Sequence, residues 1–230
     1  MNIPEFDKFA DEYRASLLQS IGTSGEDPEY FAQYKVVDVL KSTARKRIAV
    51  KKLMDFGCGI GGSIPFFRQL FPTARLTAVD ISEKSLAIAK QRFPDAARYV
   101  AFDGAELPFE AGAFDVVFTA CVFHHIPESQ HVSLLAEIRR VMSTDGAFYV
   151  FEHNPLNPLT VRVVNQCVFD ENAVLMSSRQ LRKRLIAAGF RSIETRYRIF
   201  FPHFLRALRG LESGLAWCPL GAQYYLCARK

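Results

Sequence analysis

The sequence predicts an α/β fold in which a mostly parallel sheet is covered by helices on both faces. Short apolar runs alternate with helical patterns from Lys51 to about His153, and this alternation is typical of parallel strands joined by crossover helices. A glycine-rich loop follows the first apolar run. Two further strand-like runs end the chain, and they are expected to form a hairpin-like pair at the end of the sheet.

The strands and helices of this core can be assigned in order. KKLMDFG is the first predicted strand, and a helix near Gly61–Leu70 follows its glycine loop. ARLTAVD is the second strand, and Ser82 is suited to cap a helix that runs to about Arg92. The remaining segments are the strands ARYVAFD and FDVVFTACV, a helix near Glu128–Met142 and the strand AFYVFEH.

Two flanking regions differ from this core. Residues 5–46 are predicted to be helical around a turn at GTSGEDP, so residues 1–47 are assigned to an N-terminal helical cap and residues 48–153 to the core. Residues 154–230 are assigned to an insertion and the closing strands of the same domain. Within them, a helix from about Ser178 to Ala188 is expected to stop at Gly189, because glycine is favoured at helix C-termini.

Composition sets the broad class. The chain has 230 residues, a net charge of +5 and nearly half hydrophobic residues, which suits one domain with a sizeable core. Five scattered cysteines without CxxC spacing favour reduced thiols over a zinc site. The first residues do not have the order of a signal peptide, and no apolar run approaches the roughly 20 residues of a membrane span. A cytoplasmic location is therefore expected.

The loop in LMDFGCGIGG has the glycine spacing of a nucleotide-binding turn, with an unexpected acid, Asp55, before it. Two like charges about 4 Å apart cost about 4 kcal/mol at an effective dielectric constant of roughly 20, so Asp55 disfavours a pyrophosphate. A cofactor that carries an ammonium and a sulfonium but no phosphate would be attracted, and S-adenosylmethionine has these groups. The alternative is that Asp55 only accepts hydrogen bonds from the amides of the loop.

Two more acids follow predicted strands. Asp80 ends the second strand about 20 residues after the loop, where an acid accepts hydrogen bonds from ribose hydroxyls; its alternative role is to assist the start of the helix at Ser82. Asp103 follows the third strand, where a carboxylate can accept the amino hydrogens of adenine while Gly104 and Ala105 offer backbone groups. The alternative for Asp103 is an Asx-turn, which Asp-Gly forms readily.

The successive motifs LMDFGCGIGG, LTAVDIS, FDGAELPFEAGAFDVVFTACVFHHIP and MSTDGAFYVFEH resemble those of class I S-adenosylmethionine-dependent methyltransferases. The most similar subgroup acts on small molecules in quinone and natural-product biosynthesis. The resemblance covers roughly residues 48–153 and implies a Rossmann-like, seven-stranded sheet with an antiparallel last strand. It does not extend to residues 154–220, where no substrate-defining motif is recognised.

The resemblance also implies the residues that contact the cofactor. Thr119 to Val122 match the segment beside the methionine portion, which includes Cys121 and Val122. Tyr34 is a further expected contact, because N-terminal helices of this fold close over the cofactor. The full expected set is Tyr34, Asp55, Gly57, Cys58, Gly59, Gly61, Asp80, Ile81, Asp103, Gly104, Ala105, Cys121 and Val122.

Candidates for chemistry follow the fourth and fifth strands, at the carboxyl edge where open α/β sheets bind ligands. A general base is needed only if the acceptor must lose a proton. The candidates are His124 and His125 after the fourth strand and Glu152 and His153 after the fifth, and His125 and His153 are selected. His124 and His125 also have an alternative role in packing the loop against the next helix. A metal site is not expected, because no further ligands cluster nearby in the sequence.

These features predict a methyltransferase that uses S-adenosylmethionine and acts by in-line transfer on the oxygen or carbon of a small apolar or aromatic molecule. A nicotinamide-dependent oxidoreductase and a non-catalytic S-adenosylmethionine-binding subunit are the alternatives. Nucleic acid is not an expected partner, whereas the apolar, arginine-containing residues 197–221 are consistent with lipid or peripheral membrane contact.

Overall fold

The structure is a computed structural model that describes residues 25–167 and 170–230. Most of the predicted N-terminal cap, residues 1–24, therefore lies outside the described residues. The strands are β1 Lys52–Phe56, β2 Arg75–Asp80, β3 Arg98–Ala101, β4 Phe114–Ala120, β5 Met142–His153, β6 Arg191–Arg198 and β7 Gln223–Arg229. The helices are α1 Pro28–Arg45, α2 Ile64–Leu70, α3 Glu83–Arg92, α4 His131–Val141, α5 Pro158–Asn165, α6 Ser178–Ala187 and α7 Glu212–Leu215. Short 3₁₀ helices are Phe123–His125, Glu128–Gln130 and His203–Leu211.

All seven strands form one sheet in the order β3-β2-β1-β4-β5-β7-β6. The first five strands in this order, from β3 through β2, β1 and β4 to β5, pair in parallel. Strand β7 runs antiparallel to both β5 and β6. The predicted α/β fold with an antiparallel last strand is confirmed. The closing strands are neighbours and are separated in sequence by an insertion, residues 199–222, as predicted. Strand β7 lies between β5 and β6.

Helix boundaries follow local capping chemistry. The Ser82 side chain accepts a hydrogen bond from the Ser85 amide at the start of α3, as predicted. Gly189 has a φ of +89°, which glycine adopts without strain, and it follows the end of α6. The helix expected near Glu128–Met142 is shorter than predicted, because a 3₁₀ turn precedes His131 and Met142 already belongs to β5.

Side chains of the central strands alternate between two apolar cores. On β1, Leu53 packs into one core and Met54 into the other, because successive side chains of a strand point to opposite faces. One core also contains Val36 of α1 and Phe67 of α2. The opposite core contains Leu135 of α4 and Leu181, Leu185 of α6. The sheet is thus covered on both faces.

The sheet order reverses direction between β1 and β4, which are adjacent although β2 and β3 intervene in sequence. At such a switch point the connections leave toward opposite sides, and a crevice opens beyond the carboxyl ends of the strands. The loop after β1 and the 3₁₀ helix Phe123–His125 after β4 flank this crevice. The fold therefore predicts a ligand-binding site at this edge of the sheet.

Candidate active site

A cavity of about 820 Å³ lies at the switch point. Its walls include residues from the carboxyl ends of β1, β2, β4 and β5, from α1 and from the insertion after β5. The predicted site residues that line it are Asp55, Gly57, Cys58, Gly59, Asp80, Ile81, Cys121, Val122, His125 and His153. The cavity therefore brings together ten of the predicted positions from separate parts of the chain. This volume suits a small-molecule ligand.

The glycine loop after β1 turns with its backbone in the left-handed region. Gly57 has a φ of +72°, and a Cβ on it would lie 2.4 Å from Cγ2 of Val122. Gly59 has a φ of +52° with no atom within 4 Å of a Cβ built there, and it lines the cavity. Gly57 is needed for packing against the β4 loop, whereas the open space above Gly59 belongs to the cavity.

Asp55 is a buried acid, 2% exposed, and it lines the cavity. Among the described residues, its Oδ2 atom has no hydrogen-bond partner. The Gly57 and Cys58 amides donate instead to the carbonyl of Val79, at 2.8 and 3.1 Å. Burial, and then the negative charge of Asp80, raises the pKa of Asp55 to about 8. These contacts favour a role toward a ligand over the alternative of bonding to the loop amides.

Asp80 joins the loop to the next helix. Its Oδ2 accepts a hydrogen bond from the Gly59 amide at 2.7 Å, and its Oδ1 accepts one from the Ser82 amide at 2.9 Å. The alternative role at the start of α3 is therefore present in the structure. Since each carboxylate oxygen can accept more than one hydrogen bond, these contacts leave acceptor capacity for a ligand.

The third predicted acid lies apart from the cavity. Asp103 Oδ1 accepts hydrogen bonds from the Ala105 and Glu106 amides at 2.8 and 2.9 Å, which is the predicted alternative of a local turn. Asp103 is exposed. Of the predicted set, Asp103, Gly104, Ala105, Gly61 and Tyr34 are not among the residues that line the cavity.

Tyr34 does not line the cavity, whereas its neighbour Lys35 does. The Tyr34 hydroxyl donates to Oε1 of Gln223, which lines the cavity. Lys35, the next residue of α1, lines the cavity directly and its Nζ lies 3.7 Å from Sγ of Cys121. Sequence reasoning missed Lys35 and Gln223, because only tertiary packing brings α1 and β7 to this edge.

A buried histidine network centred on Glu152 borders the cavity at the carboxyl ends of β4 and β5. Glu152 Oε1 accepts hydrogen bonds from the Val122 and Phe123 amides at 3.2 and 2.8 Å. Its Oε2 lies 2.6 Å from Nδ1 of His124. Burial opposes ionisation of Glu152, but the charge of His124 and these hydrogen bonds lower its pKa. Glu152 thus holds the backbone after β4 and the ring of His124, and it is not among the cavity-lining residues.

Asp170 is a residue that the sequence did not indicate. Its Oδ1 lies 3.3 Å from Nε2 of His124 and 3.4 Å from Nε2 of His125. The expectation that no further ligands lie near these histidines is therefore wrong, because the fold brings in a carboxylate from 46 residues after His124. Burial, and then the charge of His124, lowers the pKa of His125 to about 4.

Cys121 and His153 form a second interacting pair. Cys121 has a φ of +58°, a left-handed conformation that is uncommon for a non-glycine residue. Burial raises the pKa of its thiol, but the positive charges of His153 and Lys35 outweigh burial and lower that pKa to about 7. Burial lowers the pKa of His153, and the charge of Cys121 more than reverses this effect. His153 Nδ1 also lies 3.3 Å from Nε2 of Gln223.

Comparison with known proteins gives a family for the core. Residues 54–150 match the model of a methyltransferase domain family. The chain is 28% identical over 152 residues to a demethylmenaquinone methyltransferase of Thermotoga maritima, covering 66% of this chain and 61% of that protein. It is 26% identical over 212 residues to a malonyl-[acyl-carrier protein] O-methyltransferase of Geobacter sulfurreducens, covering 85% of this chain and 79% of that protein.

Among solved structures, an S-adenosylmethionine-dependent methyltransferase of Thermotoga maritima superposes with a TM-score of 0.69. The two chains share 18% sequence identity, and the alignment covers 98% of each. At this identity the similarity establishes a common fold. None of the described helices is both long enough and apolar enough to cross a membrane.

Proposed function

We propose that this protein transfers a methyl group from S-adenosylmethionine to a small molecule, because residues 54–150 match a methyltransferase domain family and the chain has the fold of a solved S-adenosylmethionine-dependent methyltransferase. The observation that carries the proposal is the unpartnered Oδ2 of Asp55 in the cavity wall. A buried carboxylate without a partner is costly, and a cationic ligand removes that cost.

The part of the cavity beside Asp55, Gly59 and Asp80, called the donor end, fits this cofactor in three respects. Asp55 can ionise on binding and offer a carboxylate to its ammonium group, whereas a pyrophosphate would oppose that ionisation. Gly59 leaves space for the close approach of a ligand to the loop. We assign Asp80 to the ribose hydroxyls, and Ile81, Cys121 and Val122 to apolar contact with the adenosine and methionine portions. We assign the adenine contact to Asp103 only for a ligand that extends past the cavity wall, since its carboxylate lies outside that wall.

When bound, S-adenosylmethionine supplies a methyl group already activated by a sulfonium, so much of catalysis comes from alignment and exclusion of water. The protein aligns the acceptor through the loop that follows β4, which Glu152 fixes through the Val122 and Phe123 amides. We assign proton removal from the acceptor to His125 or His153, which both line the cavity.

We propose an apolar or aromatic acceptor. Phe31, Phe66 and Phe200 are among the residues that line the cavity, and aromatic walls suit such a molecule. The names of two relatives point to a quinone precursor or an acyl thioester carrier. A quinone precursor agrees better with the aromatic lining, and either oxygen or carbon of such a ring can accept methyl.

Exposed apolar side chains beside the cavity support a lipid-like acceptor or contact with a membrane surface. Leu159 lines the cavity and is 69% exposed. In residues 199–221, Phe204 is 80% exposed and Trp217 is 76% exposed. The acid of this segment, Glu212, is buried and accepts hydrogen bonds from the Phe200 and Phe201 amides, at 3.0 and 3.2 Å. The segment thus presents apolar side chains and Arg206 outward, as interfacial helices do, whereas Arg209 pairs with Glu26.

We further propose that α1 and residues 154–222 together cap the core and select the acceptor. Both regions contribute to the cavity wall, through Lys35 and Phe31 on one side and Asn157 and Leu159 on the other. We retain the predicted division into a helical cap, a core and a substrate-side insertion as part of this proposal. Residues 1–24 belong to the same predicted cap and lie outside the described part of the chain.

Calorimetry tests the choice of cofactor. S-adenosylmethionine and S-adenosylhomocysteine are expected to bind the purified chain, and Asp80→Ala is expected to weaken both at least about tenfold, or ~1.4 kcal/mol. Binding of NAD in place of these ligands would instead support an oxidoreductase. Asp115→Ala is a suitable control, because Asp115 accepts from the Lys51 and Lys52 amides at the amino end of β1, away from the cavity.

Turnover tests the remaining alternative of a non-catalytic subunit. Methyl transfer from radiolabelled donor to dihydroxylated aromatic and prenylated quinol acceptors should be measured with the single purified chain. Product formation would exclude a requirement for a partner subunit. Donor binding without turnover on any acceptor of the panel, with restored turnover on adding a partner, would favour the subunit.

A further inference from the structure

Three potential metal ligands meet at the part of the cavity formed by residues after β4 and β5, called the acceptor end. His124, His125 and Asp170 each present one ligand atom, and these atoms lie within 4.8 Å of one another. All three residues line the cavity. His124 comes from the loop after β4, and Asp170 comes from the insertion after β5. The fold therefore assembles a mixed imidazole and carboxylate cluster next to the proposed path of methyl transfer.

The ring of His124 is oriented by a carboxylate on its far side. Its Nδ1 lies 2.6 Å from Oε2 of Glu152, and Glu152 Oε1 is held by two backbone amides. With a proton on Nδ1, the lone pair of Nε2 points at Asp170. Metal-binding histidines have this arrangement, in which a carboxylate behind the ring fixes its tautomer.

When Nδ1 carries the only proton of the His124 ring, Nε2 of His124 and Oδ1 of Asp170 are two acceptors in contact, and they then require positive charge between them. Nε2 of His124 and Oδ1 of Asp170 are 3.3 Å apart, and Nε2 of His125 approaches the same oxygen at 3.4 Å. We propose that His124, His125 and Asp170 bind a divalent transition-metal cation of the Zn²⁺ type, with Glu152 as the positioning residue behind His124. A proton on Nε2 of His124 is the competing explanation.

Two of the three ligand-to-ligand distances fit a small tetrahedral ion. Bonds of 2.0–2.2 Å in a tetrahedral zinc site give ligand-to-ligand edges of about 3.3–3.6 Å, and the two edges to Asp170 are 3.3 and 3.4 Å. The histidine-to-histidine edge lies within 4.8 Å, so binding of the ion would draw the two rings together. Three protein ligands leave a fourth position toward the cavity, as in catalytic rather than structural zinc sites. Two imidazoles select zinc-like ions over Mg²⁺, which prefers oxygen ligands.

A cation at this position would bind the acceptor as well as the protein. An oxygen of the acceptor at the fourth position would lose its proton more readily, because the ion stabilises the anion. His125 then acts as a ligand, and His153 is left as the side chain that takes the proton. This consequence rests on the proposed function, whereas binding of the ion itself does not.

Metal binding can be measured without donor or acceptor. Chelator-treated full-length protein is titrated with Zn²⁺ and, separately, with Co²⁺, whose visible absorption reports tetrahedral coordination. We expect one ion per chain and no comparable binding of Mg²⁺. Asp170→Asn and His125→Gln should weaken Zn²⁺ binding at least about 100-fold, and Glu152→Gln by about 10- to 100-fold.

Two variants serve as matched controls. His203→Gln removes another histidine beside a carboxylate, since Nδ1 of His203 lies 3.0 Å from Glu26, and it should bind Zn²⁺ like the unmodified protein. Cys121→Ser should also retain the site, because its sulfur faces Lys35 and His153. Thermal melts of every variant establish that it is folded.

Absence of stoichiometric Zn²⁺ binding would overturn the proposal and leave a protonated His124 between two carboxylates. Equal binding by Asp170→Asn, or loss in Cys121→Ser alone, would overturn it too, since the ion would then lie elsewhere. Donor binding is measured by calorimetry on the same preparations. Loss of donor binding with Zn²⁺ binding intact would count against the proposed function and leave the metal site standing.

Discussion

The donor end and the acceptor end of the cavity each contain a buried carboxyl group, and the two groups differ in their hydrogen-bond partners and in the direction of their pKa shifts. At the donor end, Asp55 Oδ2 has no partner among the described residues, and burial raises the pKa of this carboxyl to about 8. At the acceptor end, Glu152 is equally buried but accepts from two amides and contacts His124, which lowers its pKa. Burial is the same for the two groups, so their partners distinguish them. An acid without a partner is suited to bind a ligand, whereas an acid with several partners stabilises the fold.

The largest expected effect is on stability, from Asp55→Asn. A carboxyl whose pKa is raised on folding contributes stability that is full below its unfolded pKa of about 3.9 and is lost as the pH rises through the folded value. With a folded pKa of about 8, the variant should gain stability over the unmodified protein between about pH 4 and 8, by at most ~6 kcal/mol. Urea unfolding at pH 5, 7 and 9 measures this difference.

The same substitution also tests the donor role of Asp55. At pH 7 its carboxyl is mostly protonated, so pairing with an ammonium group should release about one proton on binding. Calorimetry in buffers of different ionisation enthalpy counts that proton, and Asp55→Asn should abolish its release while weakening donor binding. A stability difference that does not change with pH would show that both ends of the cavity hold ionised carboxylates.

The next effect concerns the opposite end. Glu152→Ala should lower the free energy of unfolding by about 3–5 kcal/mol, because it leaves His124 and two buried amides without their acceptor. Chemical denaturation at pH 7 provides the measurement. Glu152→Gln keeps the shape and one acceptor oxygen, so it should cost clearly less. If Glu152→Ala cost under about 1 kcal/mol, the buried network would contribute little, and the contrast with Asp55 would fail.

Gly59→Val should affect binding more than folding. A Cβ at Gly59 meets no atom within 4 Å but enters the cavity, so donor affinity should fall at least about 100-fold, or ~2.7 kcal/mol. The left-handed backbone adds a folding cost of about 1–2 kcal/mol. Calorimetry and thermal melts separate the two effects. Gly57→Val is the informative comparison, since it clashes with Val122 and should lose stability as well as binding.

The smallest expected effect is at Asp103. Because its carboxylate is exposed and accepts from two local amides, Asp103→Ala should change donor affinity by less than about threefold. A tenfold loss in calorimetry would show instead that the ligand extends to this turn. The adenine role that the resemblance implies would then be supported, and the donor end would reach beyond the cavity wall.

Local patterns explain why the fold and the donor end were predictable. Ser82 caps α3 and Gly189 follows α6 because both act through neighbouring backbone groups. Asp55, Gly57 and Gly59 belong to one continuous loop, so their meeting at the cavity follows from a single strand and turn. The acid at the end of β2 joins them because parallel strands place their carboxyl ends along one edge.

The acceptor end was predictable only in part. His125 and His153 follow strands, and the sequence identifies them. Asp170 lies in the insertion, 46 residues from the histidine it contacts, and nothing in its local sequence distinguishes it from a surface acid. Lys35 and Gln223 reach the cavity through the packing of α1 and the pairing of β7. Such contacts depend on long-range packing, which local periodicity does not encode.

The position of β7 has a consequence for how the chain reaches its native state during synthesis. Strand β6 has only β7 as a neighbour in the sheet, so β6 leaves the ribosome before any strand that can pair with it. At ordinary elongation rates the wait lasts on the order of seconds. Gln223, which begins β7 and approaches His153, arrives at the end of that interval. A nascent chain therefore presents the glycine loop and the histidines of the pocket before Gln223 completes its wall.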